Sequence, residues 1–155
     1  MQKQSAIYDT YHTVQAEQLD VLGCMSRVAY IALMQQIAAA HDQHLGLDWA
    51  IYQQLKHAMM ETEHYVQFRK AVAGGQKLLL RTWVADVNAF QVVRYFAFFD
   101  AQTGDLLFTG QGKWACVELA SLKVKRLSPT FTQAYRALSS DINPYDVQQL
   151  WLCDE

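Results

Sequence analysis

The stretch Asp20-Val-Leu-Gly23-Cys-Met-Ser26-Arg27 places a carboxylate three residues ahead of a glycine and six ahead of a serine that opens a helical pattern. Carbonyl chemistry has a use for that spacing. A helix N-terminus carries unpaired backbone N–H groups and the positive end of the helix dipole. Those groups polarise a carbonyl oxygen and stabilise the oxyanion that forms during acyl transfer. A carboxylate beside them can attack the carbonyl carbon or activate a water. Aspartate is also an ordinary loop cap, so the residues alone leave Asp20 both uses.

Other groups compete for a role. On a regular strand Glu61 and Glu63 share one face and Thr62 and His64 the other, where one of them could position a water or form a structural hydrogen bond. His41 and His44 lie three apart on a helix, with no third ligand at useful spacing, so no metal site is expected. Cys24 sits close to the helix start, where a thiol pKa falls, but has no histidine base nearby in sequence. Arg69, Lys70, Lys123, Lys125 and Arg126 offer cations for the phosphates of a ligand. Met25, Met34, Met59 and Met60 suit either an adaptable apolar pocket or the core.

The elements that must hold these residues follow from periodicity. Ile7 to Gln15 reads as a strand, and Glu17 to Met25 as a loop in which Gly23 is free to take a positive φ. From Ser26, a good N-cap, apolar residues fall around most of a helix that ends near Leu45 with Gly46 beyond it. A helix of that kind is buried on most sides. Asp48 caps a short second helix to Leu55. Ala58–Phe68, Gln76–Asn88, Phe90–Ala101 and Leu106–Leu119 then read as four long strands joined by tight turns, hence antiparallel. Pro129 to Ala137 is a possible further helix, and Ser140 to Glu155 carries no pattern.

This order gives an α+β fold with one long helix against an antiparallel sheet. The 155 residues suffice for one domain, 1–155, with a core over about 8–127 and a C-terminal extension over 128–155. The strands carry more aromatics than one helix can bury, among them Trp83, Tyr95, Phe96, Phe98, Phe99 and Trp114, so oligomerisation is expected. A net charge of −2 argues against a nucleic-acid partner. The polar start of the chain and the broken apolar run at 28–40 suggest neither a secretory leader nor a membrane span. Three widely spaced cysteines without a CxxC pair suit reduced thiols in the cytoplasm.

Asp20, Gly23 and Tyr30, followed by the long helix, resemble the signature of the 4-hydroxybenzoyl-CoA thioesterase-like branch of the hotdog superfamily. The turn 68–78, Thr82-Trp83-Val84 and the hairpin from Gly104 through Trp114 to Val117 are similar to the family's later strands. The resemblance covers about Tyr8 to Leu127. It implies a five-stranded antiparallel sheet wrapped around one central helix, and hydrolysis of an acyl-CoA or acyl-carrier-protein thioester. Asp20 becomes the nucleophile or general base, the backbone amide near Arg27 polarises the carbonyl, and Gly23 shapes the loop. Tyr30, Glu63, His64, Arg69, Lys70 and Arg126 become candidates for binding substrate. Coenzyme A enters as part of the substrate, with no separate cofactor. A homodimer joined edge to edge, or a tetramer of such dimers, is implied, with the site at the interface. The chain departs from the family pattern at Cys24-Met25-Ser26-Arg27, at Lys70 where relatives have proline, and at Gly75 where they have aspartate. The alternatives on this fold are a hydratase or dehydratase, which generally needs a histidine with a carboxylate, and a non-catalytic acyl-CoA-binding protein.

Overall fold

A computed structural model describes residues 6–148 and 153–154 of the chain. The alternating segments pair into one sheet. β1 (Ile7–Thr13), β2 (His57–Phe68), β3 (Lys77–Val87), β4 (Gln91–Asp100) and β5 (Leu106–Glu118) run antiparallel to their neighbours in the order β2-β5-β4-β3-β1. This is the expected five-stranded antiparallel sheet. A two-residue β6 (Cys153–Asp154) adds to the far side of β1 in parallel. At the other end, β2 has one neighbour among the described residues, so its outer edge faces away from the sheet.

α1 (Arg27–His44) lies across the inner face. The Ala29 N–H donates to Ser26 Oγ at 3.2 Å, and Gly46, with φ +84, turns the chain away at the other end. Tyr30, Leu33, Met34 and Ile37 form its buried stripe against Leu78, Leu80, Phe96, Phe98 and Phe108. Burying four such side chains contributes on the order of 8 kcal/mol before entropy is counted. A Cβ on Gly110 would stand 3.0 Å from Met34 Cε, so the bare backbone there lets the helix sit close. The stripe is narrower than the sequence pattern implies, because Val28 and Ala39 are exposed and Ile31 and Ala32 half-buried.

α2 (Trp49–Leu55) is capped by Asp48, whose Oδ1 accepts from the Ile51 N–H at 3.0 Å. α3 (Pro129–Ala134) stops earlier than expected, and Phe131 and Tyr135 close a second cluster with Leu47, Val84, Val92 and Cys116.

The outer face of the sheet carries part of the aromatic surplus. Part of it is covered by the chain's own C-terminal segment. Leu138, Ile142 and Val147 pack against a cluster of Ile7, Leu79, Trp83, Ala97 and Phe99. The Tyr145 ring meets Trp83 edge-on at 5.5 Å, and the Leu138 N–H donates to the Val84 carbonyl at 2.9 Å. Arg81, fully buried, fastens this cover. Its Nε and Nη2 donate to Asp9 at 2.7 and 2.9 Å, and its Nη1 donates to the carbonyls of Pro144 and Asp146 at 2.9 and 2.7 Å.

Candidate active site

The loop before α1 is built to hold one carboxylate. The Gly23 N–H donates to the Asp20 carbonyl at 3.0 Å and the Asp20 N–H to the Cys24 carbonyl at 2.8 Å. Gly23 completes this turn at φ +78, a region that favours glycine. The Leu22 and Cys24 N–H groups donate to Asp20 Oδ1 at 2.9 and 3.2 Å. Both of these bonds fall on one carboxylate oxygen, so the side chain is oriented without using the other.

The loop is tied down on both sides. The Met25 N–H donates to the Val72 carbonyl at 2.7 Å, and the Ser26 N–H to the Gln18 carbonyl at 2.8 Å. Gly74 packs beneath it: a Cβ there would fall 2.9 Å from Leu19 Cδ1. Gly75 has φ +79, which accounts physically for a glycine where the family pattern has aspartate. Lys70, at the family's proline, pairs with Asp105 at 3.1 Å on the surface.

Asp20, Cys24, Arg27, Tyr30, Arg69 and Lys70 meet around a cleft of about 300 Å³ at the opening turn of α1. Arg27 is the first helical residue, so its N–H belongs to the unpaired set of the first turn. Its guanidinium lies 4.1 Å from the centre of the Phe68 ring. Tyr30 is almost entirely buried, stacked on Phe108 at 4.9 Å and edge-on to Phe68 at 5.0 Å. Burial pushes its phenol pKa up, with the Arg27 charge opposing, so the hydroxyl stays protonated at neutral pH. Leu22, which lines the cleft, stands exposed, as do its neighbour Val21 and Val28 in the first turn of α1.

Three of the expected site residues lie elsewhere. β2 carries a bulge between Glu61 and Glu63, which oppose Trp114 and Lys113 on β5. The extra residue breaks the alternation, so Glu61 and Glu63 do not share a face as a regular strand requires. Instead His64 Nδ1 lies 2.7 Å from Glu61 Oε1, and Glu63 pairs with Lys113 at 3.0 Å. Arg126 is exposed in the connection after β5, away from the residues that line the cleft. His41 stacks on Tyr8 at 5.5 Å, and among the described residues no group of three His, Cys, Asp or Glu could hold a metal.

Sequence reasoning missed a buried polar centre beneath α1. Arg94 Nη1 lies 2.7 Å from His41 Nδ1, and Nη2 donates to Asp42 Oδ1 at 2.6 Å. The Tyr135 hydroxyl donates to Asp42 Oδ2 at 3.0 Å. Burial pushes the Asp42 carboxyl up while Arg94 pulls it back. Tyr52, beside it, is pushed up to about 12, chiefly by burial. A lone arginine inside the apolar run Val92–Phe99 was the available signal.

This is the hotdog fold, with the helix N-terminus and its preceding loop forming the cleft. Residues 14–135 match the thioesterase-like superfamily, and the chain belongs to that family. No curated protein sequence is similar to it. Solved structures agree on the fold. A 1,4-dihydroxy-2-naphthoyl-CoA thioesterase from Synechocystis superposes with TM-score 0.75 at 15% identity, covering 83% of this chain and 94% of its own. A DHNA-CoA thioesterase from Staphylococcus aureus gives TM-score 0.75 at 20% identity, over 83% and 87%. A hypothetical protein from Staphylococcus aureus in complex with CoA gives 0.78 at 10% identity, over 94% and 95%. Among the described residues no helix is long and apolar enough to cross a membrane.

Proposed function

We propose that the chain hydrolyses an acyl-CoA or acyl-carrier-protein thioester at the Asp20 cleft. One observation carries this reading: a carboxylate oriented by two backbone N–H groups shares a cleft with the first turn of α1. Family membership and a CoA complex among the structural neighbours support it. The thioester oxygen lies against the Arg27 N–H, which takes up charge as the carbonyl carbon becomes tetrahedral. Asp20 adds to that carbon, or removes a proton from the water that does. Collapse breaks the carbon–sulfur bond and releases the thiolate, which is protonated by solvent. Where Asp20 has added, water then hydrolyses the acyl–aspartyl anhydride, releasing the acid and restoring the carboxylate. Gly23 keeps the loop in register, Tyr30 walls the acyl side, and Arg69 and Lys70 face the phosphates of the leaving group.

The open β2 edge and the exposed Val21, Leu22 and Val28 fit a second copy joined through β2. In that dimer Glu63, His64 and Arg126 act on the substrate of the other copy. The test is turnover of an acyl-CoA and acyl-carrier-protein panel by wild type and Asp20→Asn. Loss of about a thousandfold or more in kcat is expected for the variant.

One observation favours a second reading. The His64–Glu61 pair supplies the histidine and carboxylate that hydration of an enoyl thioester needs. Enoyl-CoA hydration that survives Asp20→Asn and falls in His64→Ala would select it.

A further inference from the structure

Three cations line the Asp20 cleft, and two of them have partners. Lys70 pairs with Asp105 at 3.1 Å, and Arg69 Nη2 donates to Gln67 Oε1 at 3.2 Å. The Arg27 side chain makes no ion pair or hydrogen bond among the described residues, and its guanidinium is held instead on the Phe68 ring, 4.1 Å from the centre. Tyr30 stands three residues on, on the same face of α1. It is 3% exposed and lines the same cleft, and its hydroxyl has no hydrogen-bond partner among the described residues. We infer that Arg27 and Tyr30 form a carboxylate site on the acyl side of the cleft, which selects thioesters of short dicarboxylic acids. This names a substrate class for the thioesterase reading above and rests on it.

A guanidinium stacked on an aromatic face keeps its N–H groups in its own plane, free to meet both oxygens of one carboxylate. Stacking also fixes the group before a ligand arrives, so less side-chain entropy is lost on binding. Tyr30 adds a neutral donor. Burial pushes its phenol pKa up and the Arg27 charge opposes that, so the proton stays in place at neutral pH. A buried hydroxyl without a partner costs free energy that a bound acceptor returns. Asp20 is the one carboxylate among the residues lining the cleft. A second carboxylate brought there meets its repulsion, and the Arg27 cation offsets it. A neutral acyl group offers neither donor a charged acceptor.

Reach favours an anion on the acyl group over the phosphates of CoA. In the mechanism above the Arg27 N–H holds the thioester oxygen, and its guanidinium extends about 6 Å from the same Cα. With a hydrogen bond of about 3 Å at each end, an anion on that guanidinium lies on the order of 10 Å or less from the carbonyl carbon. The pyrophosphate stands about 15 Å from the sulfur along an extended pantetheine arm, so the arm would have to fold back to meet Arg27. The carboxyl carbon of a glutaryl or adipyl group is about 5–6 Å from the thioester carbon, inside that radius.

The test uses the whole chain with glutaryl-CoA and adipyl-CoA, each compared with its monomethyl ester. The free acid of at least one pair should be favoured by about 10- to 100-fold in kcat/KM. Comparing acid with ester inside each variant removes any general loss of rate. Arg27→Gln should bring the ratio near one, Arg27→Lys should keep part of it, and Tyr30→Phe should lower it by about 3- to 10-fold. A ratio near one in the wild type for both acids, or an undiminished ratio in Arg27→Gln, would overturn the site. The same pairs built on N-acetylcysteamine, which carries no phosphate, separate the two kinds of anion. The ratio and its dependence on Arg27 should persist there; if both vanish, Arg27 serves the phosphates and the inference fails. Calorimetric binding of CoA thioethers with the same acid and ester ends separates the site from the hydrolase reading. Acid-selective binding that is lost in Arg27→Gln, without turnover, retains the site and removes hydrolysis. Turnover without selectivity retains hydrolysis and removes the site.

Discussion

Arg81 and Arg94 lie on adjacent strands, on opposite faces of one sheet, and both are buried. Arg81 is sealed. Its carboxylate partner Asp9 has no exposed side-chain surface, and the Arg81 Nη1 donates to backbone carbonyls of the C-terminal segment. Arg94 is paired to a carboxylate that keeps one side toward a groove. The same residue type thus fastens a cover on the outer face and holds an acceptor at a cavity wall on the inner face. A buried ion pair gives little net stability against an apolar substitute, yet losing one partner is expensive. On the outer face that penalty keeps a patternless segment in place. On the inner face it fixes the direction of a polar group.

Changes on the sealed outer face should therefore cost more stability than changes on the inner face. The largest effect is expected from Asp9→Ala, which removes two bonds to the buried Arg81 guanidinium and should cost about 3–5 kcal/mol in chemical denaturation. Truncation after Arg136 removes Leu138, Ile142 and Val147 from the Trp83 cluster and should cost roughly 3 kcal/mol. Truncation should also expose the outer face, read as increased binding of a hydrophobic dye. Tyr135→Phe removes one bond to Asp42 and should cost about 1 kcal/mol in the same denaturation. A cost as large as that of Asp9→Ala would erase the contrast between the faces.

The smallest effect lies in the turn after β4. The Thr103 and Gln102 N–H groups and the Gln76 amide donate to Asp100 and hold its carboxyl below the usual range. Folding then favours the charged form, so this contribution is present above the ordinary carboxylate pKa and disappears as pH falls through the lower folded value. Asp100→Asn should flatten the loss of Tm in that acid window and leave it unchanged in shape near neutrality.

Local rules made much of this molecule legible. Ser26, Gly46 and Asp48 delimit helices because caps act over a few residues, and the alternation in β3, β4 and β5 states which side chains point inward. What was hidden depends on partners distant in sequence. The bulge at Thr62 exists only relative to β5, so Glu61–His64 could not be read from alternation. The C-terminal cover shows no periodicity because Arg81 binds its backbone carbonyls, which every residue type supplies. Asp20 was legible because its loop, glycine and helix start are contiguous.

The central claim is that Asp20 performs the chemistry. Its most direct test is hydrolysis of acyl-CoA esters by wild type and Asp20→Asn at matched folding, checked by Tm. Turnover by the wild type and a loss of about a thousandfold or more in kcat for the variant is the predicted result. Full activity in Asp20→Asn would contradict it.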